Sequence, residues 1–182
     1  MLGRFSIAPM TLGLLLLGSP GGLPLPIAVA MAQEQTSVET AEGLLRAARL
    51  SEALDQYQQL LLQAEQTGDV SAQAAASLGL GRTYYWLSQP ERALPVLMQA
   101  RELYATLEDG PGLAATVMEI AIAQLAQADL EAAKESLDQA QERYQQLGQD
   151  PSRVLAFQGH RLMRLGQWAA ALEHLEQGSQ SD

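Results

Sequence analysis

Small and large apolar positions recur along this chain at a fixed long interval. Four segments, 49–61 (RLSEALDQYQQLL), 88–100 (SQPERALPVLMQA), 128–140 (ADLEAAKESLDQA) and 166–178 (GQWAAALEHLEQG), each carry a small residue at one site: Ala53, Ala93, Ala133 and Ala171. Four residues on comes a large one: Tyr57, Leu97, Leu137 and Leu175. The alanines are 40, 40 and 38 residues apart. Twelve residues before each stands another small residue, Ala41, Gly81, Ala121 and Gly159, with Leu44, Tyr84, Gln124 and Leu162 three further on. Within each half-unit the apolar residues step by three and four, which predicts amphipathic helices. The unit is therefore helix, tight turn, helix, at about residues 35–69, 70–109, 110–149 and 150–179. No such unit buries its apolar stripe alone, so neighbours must stack into a solenoid.

Local signals punctuate the units. Ser88-Gln-Pro-Glu91 reads as a capping box, and Asp129 is placed to cap a helix. Pro111 stands where a helix can begin. Pro95 falls deeper in its segment, where its missing N–H predicts a kink or a late helix start. Gly81 is expected at the close-packing site of a helix pair with Tyr84 as its large partner, whereas Gly79 has no explanation in the pattern.

The residues Leu80, Gly81 and Tyr84, followed by Ala93 and Leu97, resemble the tetratricopeptide repeat family, with the likeness spanning about residues 35–179. The period of 40, against the family's usual 34, is similar to long bacterial and cyanobacterial arrays, which often precede a caspase-like peptidase domain. This chain has no cysteine, so that activity is not carried over. The resemblance implies an all-α, right-handed α-solenoid of about four antiparallel helix-turn-helix repeats. It also implies that the first helix of each pair lines a concave face used for protein or peptide partners.

Carried over position by position, that face comprises Glu42, Leu45 and Arg46; Leu78, Arg82, Tyr85 and Trp86; Met118, Ile122 and Leu125; and Arg153, His160, Met163 and Arg164. Arg82, Tyr85 and Trp86 are its expected centre. The set is apolar and basic, while the acids cluster mainly on second helices. The lysine and asparagine clamp of the family's chaperone-binding members is absent, since the chain has no asparagine and one lysine, Lys134.

Composition narrows the function further. The formal charge of −10 argues against a nucleic-acid backbone as partner. Without cysteine there is no disulfide, thiol nucleophile or zinc–thiolate site. His160 and His174 lack the four-residue spacing of a helical metal pair, and the glycines of 79–83 lack the lysine of a phosphate loop. Nothing points to an enzyme, a cofactor or a metal. Residues 1–32 hold no acid, one base (Arg4), a short apolar core and Ala30-Met31-Ala32, a small-x-small cleavage pattern. They read as a cleaved signal peptide, broken by Pro20, Gly21 and Gly22 before any stable membrane span. The expectation is an exported protein, periplasmic, thylakoid-lumenal or secreted, that binds a protein or peptide in its groove. The alternative is a homo-oligomer docking through a terminal helix.

Overall fold

The computed structural model describes residues 37–179, so the expected signal peptide lies outside the described residues. Among the described residues eight helices follow one another: α1 (Val38–Arg46), α2 (Leu50–Thr67), α3 (Val70–Trp86), α4 (Pro90–Thr106), α5 (Gly110–Ala126), α6 (Leu130–Gln146), α7 (Ser152–Arg164) and α8 (Trp168–Ser179). Each helix packs on the next, and the first helices also touch across repeats, α1 on α3, α3 on α5 and α5 on α7. Second helices make no such contact with one another. Elements packed on one side and splayed on the other curve the array, with the first helices on the inner face. The fold is an all-α solenoid of tetratricopeptide-like helical hairpins.

One turn geometry makes the connections. After every helix but the last, one residue takes the left-handed conformation: Ala48, Gly68, Ser88, Glu108, Ala128, Gly148 and Gly166. The amide after it bonds back to a carbonyl five residues earlier, as in Asp69 N–H to Ala64 O and Asp129 N–H to Gln124 O. This satisfies carbonyls that a helix end leaves unpaired. Asp69, Asp109 and Asp129 then start the next helix, each side chain accepting from the amide three residues on.

Two local expectations need correction. Ser88 cannot open a capping box, because its φ is 58° and it closes α3; the cap of α4 is Gln89, whose side chain caps no backbone amide, and Pro90 takes the first turn. Nor does Pro95 delay α4, which begins at Pro90 and runs unbroken through it. Pro95 faces solvent, where the carbonyl it leaves unbonded can be hydrated.

The small–large pattern is the core itself. Ala41, Ala53, Ala93, Ala121, Ala133 and Ala171 are buried. A Cβ at Gly81 would overlap the Leu97 side chain, and one at Gly159 would come 2.9 Å from Leu175 Cγ. Leu97, rather than Tyr84, thus fills the space beside Gly81. Tyr84 is buried with its hydroxyl accepting from Arg92 at 2.9 Å, and that guanidinium stacks 4.3 Å from the ring centroid. Gly79 serves a second contact: the ring of Tyr57, on α2 of the preceding repeat, lies where a Cβ would be. Gly112 makes the same room for Tyr104 of α4. Thr83 and Thr116, four residues after these glycines, return their hydroxyls to the Gly79 and Gly112 carbonyls and so sit buried without an orphaned donor.

Candidate partner-binding groove

A row of alternating charge crosses the inner face. Glu42 on α1 lies 3.7 Å from Arg82 on α3, Arg82 lies 3.6 Å from Glu119 on α5, and Glu119 lies 2.9 Å from Arg153 on α7. The Glu119 side chain is only 7% exposed, so its carboxylate depends on these two guanidiniums. The Glu42–Arg82 pair is solvated on both sides and holds little energy. Arg82 is therefore held in place from both sides.

Beyond Arg82, at the carboxyl end of α3, the surface turns apolar. Trp86 is the last residue of that helix and is 61% exposed. Tyr85 packs beside it edge to face, with ring centroids 5.5 Å apart at 68°. Tyr85 also leans on the core of the third repeat, which fixes the pair's position. A cleft opens on each side of the indole. One, of about 470 Å³, is lined by Glu42, Leu45, Arg46, Ala48, Leu50, Arg82 and Trp86. The other, of about 450 Å³, is lined by Tyr85, Trp86, Ser88, Pro90 and Ala126. An exposed indole between two clefts, with guanidiniums on one side, can hold an apolar side chain and a polar or anionic neighbour at once.

The expected groove residues divide into three groups. Arg46, Arg82 and Trp86 converge on the first cleft, with Glu42 and Leu45, and Tyr85 on the second. Leu78 is half-buried in the core between the first two repeats. Met118, Ile122 and Leu125 are not surface at all. Met118 is 0% exposed, and all three lie in one cluster with Leu137 and Val154, closed by Tyr85 and Phe157. The physical reason is that all three are apolar and face α3, α6 and α7, whose Tyr85, Leu137 and Val154 pack against them. On α7, His160 is exposed and Met163 half-buried, outside both clefts. Arg164 is exposed but spends a guanidinium N–H on the Leu125 carbonyl at the end of α5. Its neighbour Arg161, which the sequence pattern passed over, is buried and donates to the Leu130 carbonyl at 2.6 Å and to Glu131 at 3.0 Å. These two arginines fasten the fourth repeat to the third. Glu119 was missed as well. Its signal was a lone acid within the otherwise uncharged α5.

Tyr57 lies under this face. Its hydroxyl is buried and has no hydrogen-bond partner among the described residues. Burial, and then the Glu42 carboxylate, push its pKa up to about 12. In the unfolded chain the phenol ionises near 10, so between pH 10 and 12 the folded state holds a proton that the unfolded state has released. Stability then falls with rising pH, by about 1.4 kcal/mol per pH unit from this group. Tyr57→Phe should match or exceed the wild type at neutral pH, because an orphaned hydroxyl is removed. It should also lose less stability from pH 10 to 12, as read from urea melts of both proteins across that range.

Among the described residues no group of three or more acids and histidines is placed to hold a metal ion. Nor is any described helix long and apolar enough to cross a membrane.

No family model matches the chain, and no curated protein matches its sequence. Solved structures do match its fold. The nearly identical TPR-like repeats assigned to a kinesin light chain of Podosopora anserina superimpose with a TM-score of 0.66 at 21% identity, over 78% of this chain and 71% of that one. A single-substitution variant of the same protein gives a TM-score of 0.65 at 22% identity, over 78% and 70%. At this identity the likeness concerns the fold.

Proposed function

We propose that this protein is an exported, non-enzymatic interaction module that holds a peptide or protein segment against the ends of α1 and α3. The observation that carries this reading is Trp86, an indole left 61% exposed between two clefts while a row of ion pairs fixes Arg82 beside it. An aromatic anchor flanked by arginine is the kind of residue on which binding energy concentrates. The groove is shorter than the sequence pattern implied: it belongs to the first two repeats and reaches the third only at Ala126. Tetratricopeptide-like curvature supports the reading by presenting a continuous inner face. The acidic excess disfavours nucleic acid.

The test is Trp86→Ala in the full chain. Stability should change by no more than about 0.5 kcal/mol, as for an exposed side chain. Capture of the partner from the native host should weaken by about 30-fold or more. Unchanged capture would reject the groove. Arg82→Ala is the poorer probe, because it also leaves the buried Glu119 with a single guanidinium.

A further inference from the structure

The joint between the third and fourth repeats is polar where the earlier joints are apolar. The residue after the packing alanine is Leu54 in α2 and Leu94 in α4, and the residue before the close-packing site is Leu80 in α3 and Ile120 in α5. All four belong to one apolar cluster. The same two positions at the third joint are Lys134 on α6 and Gln158 on α7. Both line a cavity of about 140 Å³ that lies on the outer side, where α6 and α8 do not touch, and reaches solvent at Lys134 and Asp138. Gln158 is 8% exposed and forms the floor with the buried Leu137 and Arg161. Its Nε2 donates to Gln141 Oε1 at 2.8 Å and to Asp138 Oδ1 at 3.4 Å, while its carbonyl oxygen has no partner among the described residues. Turning the amide over would set that oxygen against the Asp138 carboxylate, which only accepts. His174 Nδ1, on the cavity wall, is buried and unpartnered as well. A leucine at position 158 would avoid the loss, as Leu80 does, so the orphaned carbonyl calls for a donor that enters the cavity.

Charge and size select the ligand. Lys134 pairs with Asp138 at 2.7 Å, and Arg161 pairs with Glu131 at 3.0 Å, so the charges around the cavity are balanced. An ion of one sign would upset that balance. Both signs nonetheless keep spare capacity. Arg161 spends Nε and Nη2 on Leu130 and Glu131, which leaves Nη1, and the Lys134 ammonium keeps two N–H groups beyond Asp138. Gln158 Oε1, His174 Nδ1 and Asp138 stand as acceptors. Hydrogen bonds that carry charge are the stronger ones, so a molecule with a cationic and an anionic end suits this lining better than a neutral polyol. At about 30 Å³ per water the cavity has room for about five waters, and hence for a ligand of about as many non-hydrogen atoms. We propose that it binds a small zwitterion, an α-amino acid with a short side chain. The ammonium group donates to Gln158 Oε1 and His174 Nδ1, and the carboxylate accepts from Arg161 Nη1 and Lys134. Neither cleft beside Trp86 shares a residue with this cavity, so the two sites are separate.

Titration calorimetry of the full chain tests this with glycine, L-alanine and L-serine, against acetate, ethylammonium and glycerol at the same concentrations. At least one of the amino acids should bind saturably with a Kd of about 1 mM or tighter, and the controls, which carry one charged end or neither, about 10-fold more weakly or not at all. Gln158→Leu installs the residue that the fold already accepts at Leu80, and should weaken the binding about 10-fold or more with helicity unchanged. Lys134→Leu, at a half-exposed side chain, should weaken it too and reads the carboxylate end separately. No saturable binding by any of the three amino acids would overturn the proposal and leave the cavity to water. Equal binding of acetate, ethylammonium or glycerol would overturn it as well, as would an unchanged affinity in either folded variant.

Discussion

Gly79→Ala should lower the stability of the fold by about 2–3 kcal/mol, although alanine is the better helix former by about 1 kcal/mol. The site decides the sign. A Cβ there falls within the ring of Tyr57, and that ring is itself enclosed in the core with Ala41, Leu80 and Leu97. It cannot swing aside as an exposed side chain would, so α2 and α3 must move apart along a contact that joins two repeats. Urea unfolding measures the loss as a lower midpoint. Tyr57→Leu removes the obstacle, so the pair of changes should cost clearly less than the sum of the two singles. Additive costs would show that Tyr57 and Gly79 do not meet.

Met118→Ala should cost about 2–4 kcal/mol. Met118 is fully enclosed between α5, α6 and α7, and its removal leaves a cavity that the surrounding helices fill only in part. At an open groove position the same change would alter stability by no more than about 0.5 kcal/mol and would act on binding alone. The size of the loss therefore decides between core and groove for Met118, and by extension for Ile122 and Leu125. A near-neutral Met118→Ala would return the third repeat to the groove.

These two residues show where the sequence could be read and where it could not. Gly81 was legible as a close-packing site because a small residue recurs there in phase with every repeat, although its partner is Leu97 and not the expected Tyr84. Gly79 was not, because Tyr57 sits four residues after its packing alanine whereas Tyr104, which makes the equivalent contact with Gly112, sits eleven after its own. That contact follows no period, and a repeat alignment averages it away. The fold itself rests on periodic signals, which explains why helix pairing emerged from the pattern, while the inner position of the first helices came from the resemblance to tetratricopeptide repeats.

The groove was read less completely for a related reason. Transferring positions from repeat to repeat treats every first helix as equivalent. The structure breaks that equivalence, since α5 carries the apolar Met118, Ile122 and Leu125, which pack into the core with Leu137 and Val154, where α3 carries the charged Arg82 and the exposed Trp86. Thus Arg46, Arg82 and Trp86 came together as expected, while the same positions on α5 became core. Arg164 looked like a free groove cation, and Arg161 was passed over. Their actual partners are backbone carbonyls more than thirty residues away, a kind of contact that spacing does not encode.

The most direct test of the binding face is a photo-cross-linking side chain placed at position 86 in the full chain and, separately, at position 62 on α2. Both sites are exposed, at 61% and 56%, so reactivity differs only by what approaches them. The account predicts that, in the native host, a defined partner band appears from position 86 and is absent from position 62. The same band from both positions, or from position 62 alone, would contradict it.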